Sequence, residues 1–468
     1  MNNHTLPWIR VCPNAPYFET ETGQIWTPVG QNDAINWPDF AGAFRRRDMA
    51  SVEGHLRFLA DHNVTCLRLM MEYCQFEHRY LEKPVGRFVP NMIALWDDIF
   101  ALCEKYHLRI LLTPYDTFWM WIRWAKHPYN SVNGGIIEKR ERWLLEPQMR
   151  DAIKHRLDFA TERWGASGAL FAWDLWNEIN PAHAEKSVEP FWDFIAEIGD
   201  HLRATELRVH GRAHPQTVST YGAASNFDAG VAAALYRHPT LDFASIHFYE
   251  RAALDNPKNT VDSAKDAGEL TREALGEIRD NRPFFDSEHG PIHAFKDKKK
   301  ILPQPFDDEY FRTFQWTHLA SGGVGGGLRW PNRHPHVLTH GMRAAQRSLS
   351  EFLPLIDWGN FQRRNLNEEI QTDAPCATFG CGDENQAVVY FLRTDALGKS
   401  GMIKPNAPSI EARVEVPGLG AGRYKITVWD TLNGCAAREF EAECARETPL
   451  IFEVALQSDV AVAIRRAQ

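Results

Sequence analysis

Two glutamates stand at the ends of strand-like segments, each inside a run of aromatic and polar residues. One run reads Trp173-Asp174-Leu175-Trp176-Asn177-Glu178, the other Phe285-Asp286-Ser287-Glu288-His289-Gly290. Two carboxyl groups about 5–5.5 Å apart can carry out double displacement at a glycosidic carbon: one attacks, and the other protonates the departing oxygen and then activates water. A lone glutamate at a strand end is ordinarily a surface group, so the reading rests on the pair. Side chains alternate along a strand with period two. Phe243, Ser245, His247 and Tyr249 therefore share one side of one segment, and Cys66, Arg68, Met70 and Glu72 one side of another. An inward Arg68 would hydrogen-bond a neighbouring carboxylate and keep it ionised. Asp174 and Asp286 fall on the glutamates' side and read as buried structural support. Asn177 and Glu178 are adjacent, so both can face inward only across a bulge or a strand end.

These residues need elements to hold them. Strand-like segments at 27–31, 64–72, 108–114, 169–177, 217–221, 242–247, 283–288 and 323–330 alternate with helical patterns at 52–61, 92–106, 147–164, 190–208, 227–236, 263–280, 307–320 and 341–352. Eight β-then-α units in series predict an α/β fold, a closed (β/α)8 TIM barrel. Its active site is expected at the C-terminal strand ends, where strands four and seven face each other. Residues 17–26 read as a hairpin ahead of the first strand, plugging the barrel floor. From about Asn365 the helical period gives way to short alternating strands such as 409–416, where Ile410, Ala412, Val414 and Val416 oppose Glu411, Arg413 and Glu415. The expected organisation is a catalytic barrel over 1–364 and an all-β sandwich-like domain over 365–468, bracing the barrel.

The chain has 468 residues, a net charge of −9 and 16 tryptophans. The negative balance gives no basic face for nucleic acid, and Lys298 to Lys300 reads as a solvated loop. No apolar run reaches membrane-spanning length. The first residues lack the apolar core of a signal peptide, which predicts a cytoplasmic protein. The eight cysteines form no C-x-x-C pair and read as free thiols. Trp143 and Trp164 are expected in the core. Trp119 and Trp121, beyond a strand end, are expected to wall a sugar subsite, and Asp116 is divided evenly between sugar contact and loop support. The glycine-rich run 321–327 lacks the Lys-Ser/Thr ending of a phosphate loop and reads as close backbone approach. His334-Pro335-His336 lacks a third metal ligand and reads as an ordinary loop.

Trp173 to Pro181 resembles the acid/base signature of clan A glycoside hydrolases, and Phe284 to Gly290 resembles the nucleophile strand of glycoside hydrolase family five, the cellulase and mannanase family. Arg68, Asn177, Glu178, His247, Tyr249, Glu288 and Trp330 match that family's pattern in order, across roughly residues 15 to 355. The family's histidine near the end of strand three is missing; Asp116 is the nearest polar residue. The resemblance implies a retaining hydrolase of β-linked glycosides, derived from β-mannan or β-glucan. Glu288 would be nucleophile, held anionic by Arg68 and Tyr249, and Glu178 acid/base. Asn177 would bind the 2-hydroxyl, His247 would orient Glu178 or a sugar hydroxyl, and Trp330 would floor the glycone subsite. No metal or organic cofactor is implied, and the expected partner is a β-linked oligosaccharide or polysaccharide. The alternatives are an inactive carbohydrate-binding protein on the same fold, which the intact glutamates oppose, and a metal-dependent barrel hydrolase. The latter would want His-x-His at strand one, where Asn32 and Asp33 stand.

Overall fold

The computed structural model describes residues 6–73, 79–292, 301–331 and 336–467, without the side chains of Trp119 and His183. Lys298 to Lys300, His334 and Pro335 lie outside the described residues.

The barrel strands are Gly30–Asp33, Cys66–Met70, Arg109–Thr113, Leu170–Asp174, Gln216–Thr217, Ala244–Phe248, Phe284–His289 and Leu328–Arg329. They pair in parallel in the order five, four, three, two, one, eight, seven, six. Strands five and six meet through a bridge between Tyr221 and His247 and a bond from His247 N–H to the Thr220 carbonyl (2.8 Å). Strands five and eight are shorter than the sequence predicts. At strand eight the reason is local: Gly325 and Gly327 take positive φ, which a β-ladder does not use. A Cβ on Gly325 would lie 2.3 Å from the Pro28 carbonyl oxygen, so the run permits the close approach expected of it.

Helices start and stop where their sequence instructs. Pro147 opens Pro147–Trp164, the Thr339 hydroxyl caps His340–Phe352 by accepting from Met342 N–H, and left-handed Gly211 ends Glu189–His210. Their apolar faces pack on the outward residues of the barrel strands in one continuous core that contains Trp96, Trp143, Trp164 and Trp173.

The floor is apolar. Ile9–Val11, Phe18–Thr20 and Ile25–Trp26 form a three-stranded antiparallel sheet, one strand more than the expected hairpin. Phe18 points into the barrel edge-on to Phe171, Phe243 and Phe285, with ring centroids 4.9, 5.4 and 6.3 Å away. Burying one such ring stabilises the fold by roughly 1.5–3 kcal/mol.

Beyond the barrel, a six-stranded antiparallel sheet and a three-stranded one enclose a second core. The outer face of the larger sheet carries Phe379, Tyr390 and Trp429, which join Trp316 and Phe352 of the barrel helices. Within this contact Arg312 pairs with Asp459 at 2.8 Å, and the hydroxyls of Tyr390 and Thr431 donate to the same carboxylate. Burial pushes Asp459 up, but Arg312 and the hydroxyls of Thr431 and Ser458 prevail and hold it below the ordinary carboxylate value. The described cysteines are free thiols.

Candidate active site

The barrel interior changes character along its axis. Above the phenylalanine floor, Arg68 on strand two extends across the centre and collects acceptors from four other strand ends. Its Nη1 donates to Glu288 Oε2 and Asn32 Oδ1, each at 2.9 Å. Its Nε and Nη2 donate to Asp174 Oδ2 at 3.2 and 2.7 Å, and Nη2 also reaches Asn177 Oδ1 and, on the strand five side, Ser219 Oγ at 3.4 Å. Asp174 further accepts from Ser219 Oγ at 2.9 Å. The structural role expected of Asp174 is thus visible: together with Glu288 it balances the buried Arg68 cation.

Glu178 lies past the end of strand four, with φ +52°. A left-handed non-glycine residue costs roughly 1–2 kcal/mol, and its neighbours pin it. Asn177 N–H bonds the Tyr115 carbonyl on the strand three side (2.8 Å), and Ile179 N–H bonds the Ser219 carbonyl on the strand five side (2.9 Å). Thr117 Oγ1 donates to the Glu178 carbonyl itself at 3.0 Å. This break in the strand lets the adjacent Asn177 and Glu178 both face the mouth. The Asn177 amide is fixed at both ends, its oxygen on Arg68 and its nitrogen on Asp116 Oδ1. That places Asp116 behind Asn177 as a positioning group.

On strand seven a register shift between Asp286 and Glu288, relative to strand six, does the equivalent work. Ser287 stays inward, its hydroxyl accepting from Ser245 Oγ (2.6 Å) and its backbone carbonyl accepting from Asn32 Nδ2 (2.9 Å), while Glu288 also turns into the mouth. Asp286 therefore does not share the glutamate's side, as strict alternation predicted. It faces away, bonded to His289 Nδ1 at 2.6 Å and accepting from the N–H groups of Phe248 and Glu288. It still acts as buried support, for the backbone of the glutamate itself.

The predicted strand six residues all face inward. Tyr249 Oη donates to Glu288 Oε1 at 2.9 Å, and His247 Nδ1 lies 3.0 Å from Glu178 Oε1 and 3.7 Å from Glu288 Oε2. Oxygen atoms of the two glutamates and a His247 ring nitrogen all lie within 4.8 Å of one another. Both carboxyls remain reachable, Glu178 with 16 % and Glu288 with 9 % of its side-chain surface open. Trp330 follows strand eight, its N–H on the His289 carbonyl (2.8 Å) and its ring edge-on to Trp37 at 4.9 Å. Trp119's side chain lies outside the described residues. Trp121 has one ring face under the Arg140 guanidinium at 4.4 Å, and Arg140 also donates to its carbonyl, so it braces the loop instead of presenting that face to a sugar.

The electrostatics separate the two glutamates. Burial pushes Glu178 up to about 7, against the pull of Arg68 and with help from Asp174 and Glu250. Burial also raises Glu288, but Arg68 and the Tyr249 hydroxyl oppose it. Glu288 has two direct donors, Arg68 and Tyr249, favouring its anion, whereas Glu178 keeps its proton near neutrality. Burial lowers His247 to about 4, so it stands as a neutral imidazole between them.

Glu178, His247 and Glu288 are also spaced as metal ligands, and so are Asp33, Asp39 and His55 on the helix-facing side of strand one. In the first group the Arg68 guanidinium already occupies Glu288, so a divalent ion there would face a fixed positive charge. The second has Arg343 in its field.

Sequence reasoning passed over Asn32 and Ser219 as partners of Arg68, although Asn32 pairs directly with Arg68 in the strand register. It also missed a buried cluster behind the site. Arg156 donates to Glu82 Oε1 (2.5 Å) and Glu72 Oε1 (2.9 Å) and stacks over Tyr115 at 4.2 Å. Tyr115 in turn stacks on Trp176, beside Asn177.

No protein-family model matches the chain, and no curated protein matches its sequence. Among solved structures it is similar to a family 5 glycoside hydrolase from Bacteroides vulgatus ATCC 8482, at 11 % identity over 98 % of this chain and 95 % of that one, with a TM-score of 0.59. It is similar to the endo-beta-1,4-mannanase from Thermotoga petrophila, at 14 % identity over 93 % and 92 % (TM-score 0.54). It is also similar to the family 5 mannosidase from Rhizomucor miehei, at 14 % identity over 69 % and 86 % (TM-score 0.51). What the chain shares with these glycoside hydrolases is the fold.

Proposed function

We propose that the protein is a retaining glycoside hydrolase acting on β-linked glycosides, with Glu288 as nucleophile and Glu178 as general acid/base. The observation that carries this reading is the pair of carboxyls within 4.8 Å, of which Glu288 alone is bonded directly to Arg68 and Tyr249. That spacing suits direct attack; the wider gap of inverting enzymes leaves room for a water between the groups. Glu288 attacks the anomeric carbon as Glu178 gives its proton to the leaving oxygen. Once Glu288 is esterified its charge is gone, the Glu178 pKa falls, and Glu178 becomes the base that activates water. The second hydrogen of Asn177 Nδ2 is available to the 2-hydroxyl of the sugar, a contact that strengthens in the transition state. Trp330 supplies the wall of the glycone subsite.

β-Mannosides and β-glucosides head the substrate panel, since the family resemblance and two of the similar solved structures, a mannanase and a mannosidase, concern such chemistry. The test is hydrolysis of aryl β-glycosides and β-linked oligosaccharides by the native chain and by Glu288→Ala. Turnover by the native chain should fall on the order of 10⁴–10⁶-fold in the variant, the scale on which loss of a nucleophile acts. Sugar binding without turnover of any substrate would instead establish a carbohydrate-binding protein.

A further inference from the structure

Beside Glu178, the turns that follow strands five and six meet at the bridge between Tyr221 and His247, the residue whose ring contacts Glu178. Most of the rim is buried, but Tyr221 stays 37 % exposed. The next residue, Gly222, donates its N–H to the His247 carbonyl at 3.1 Å. Gly222 has φ +98°, and a Cβ on it would lie 2.6 Å from Glu250 Oε2. The Glu250 carboxylate therefore lies over bare backbone that no other residue could offer. Glu250 is itself left-handed, with φ +62°, and its N–H is held by Asp255 Oδ2 at 3.2 Å. Among the described residues no donor reaches its carboxylate, and the side chain is exposed. Its charge nevertheless acts on the site, helping to raise both Glu178 and the Tyr221 hydroxyl.

We propose that Tyr221 and Glu250, set over Gly222, form the leaving-group subsite, which takes a neutral sugar. The ring face of Tyr221 would cover the apolar face of the departing sugar, and the Glu250 carboxylate would accept hydrogen bonds from its hydroxyls. The proposal rests on the glycosidase reading above and deepens it. It also specifies a preference: a sugar acid in this position meets the Glu250 charge and is disfavoured. Glu250 is a specificity residue here and, through its field, a positioning residue for the Glu178 proton.

The experiment compares two substrates with the same glycone. A dinitrophenyl glycoside has a leaving group that needs neither a proton nor a sugar contact, whereas the matching disaccharide needs both. Tyr221→Ala and Glu250→Ala should each lower kcat/KM for the disaccharide about 10- to 100-fold, the value of a charge-assisted hydrogen bond or a stacked ring. Each should lower kcat/KM for the dinitrophenyl glycoside by a clearly smaller factor, since its chemistry uses neither the sugar hydroxyls nor the Glu178 proton. In Glu250→Gln the upper pH limb for the disaccharide should move to lower pH, because a negative charge near Glu178 has been removed. Unchanged thermal midpoints would show that the variants fold. Equal losses on both substrates, or no loss on the disaccharide, would overturn the subsite. The native enzyme on the dinitrophenyl glycoside tests the glycosidase reading separately, and no turnover there would remove both claims.

Discussion

The two ends of the barrel axis are built by opposite rules. At the floor Phe18, Phe171, Phe243 and Phe285 fill the interior with ring contacts and leave no polar atom to satisfy. At the mouth the same cylinder holds Arg68, Asp174, Glu178, Glu288 and His247, nearly all removed from water. Apolar burial is non-directional and tolerates small displacement. Buried charges are stable only with partners in place. The floor therefore supplies stability, and the mouth carries a buried charge network at a cost in stability. Asp174 Oδ1 and His247 Nε2 there are buried with no hydrogen-bond partner among the described residues. Such atoms gather where function outranks stability.

The largest effect should come from breaking the centre of the mouth. Arg68→Met leaves Asp174 and Glu288 as unpaired buried carboxylates, and should cost about 3–5 kcal/mol of stability by denaturant titration. It should also lower kcat/KM about 10²–10³-fold, as loss of a preorganised donor does. Phe18→Ala should cost a similar 3–5 kcal/mol, from the lost transfer energy and the cavity. Its kcat/KM, measured well below the melting point, should stay within about threefold, because the rings it packs against, Trp26, Phe171, Phe243 and Phe285, belong to the floor. If both variants lost activity equally, the separation of floor from mouth would fail.

A smaller effect concerns pH. Glu178 must be protonated to act as acid, so kcat/KM should fall as pH rises through about 7. The same group's share of stability is whole below its ordinary value of 4.5 and is lost as pH rises through about 7. His247, lowered from 6.5 to about 4, works in the opposite sense, its share being present above 6.5 and lost as pH falls through about 4. A thermal-midpoint series across pH, with Glu178→Gln removing the upper trend, checks the assignment. The smallest effect expected is that of Ser245→Ala, which removes one bond to Ser287 at the boundary between the two zones and should cost about 1 kcal/mol.

The mouth was readable in the sequence because its residues sit where parallel strands end, and period two assigns Arg68, His247 and Tyr249 a common direction. The alternation failed at strand seven, where the register shift turns Asp286 away and brings Ser287 and Glu288 to one side. No local signal in the sequence announces that shift. The sheet strand Cys376–Gly382 was overlooked because its two glycines and two cysteines mask the usual β-branched pattern. Gln386–Arg393 reads as one of the short alternating strands, but in the structure it is buried along its whole length, covered on both faces by the second core and by the barrel helices. The Arg156 cluster joins Glu72, Glu82, Tyr115 and Tyr129 across distant segments, and spacing alone cannot bring those together.

The division of labour between the two glutamates is the central claim, and a fluorosugar inactivator tests it most directly. Such a compound slows breakdown of a glycosyl-enzyme more than its formation, so peptide mass spectrometry can locate the ester. The account predicts one added glycosyl group on the peptide carrying Glu288, with Glu178 unmodified. A label on Glu178, or active enzyme that releases product with inverted configuration and accumulates no adduct, would contradict it.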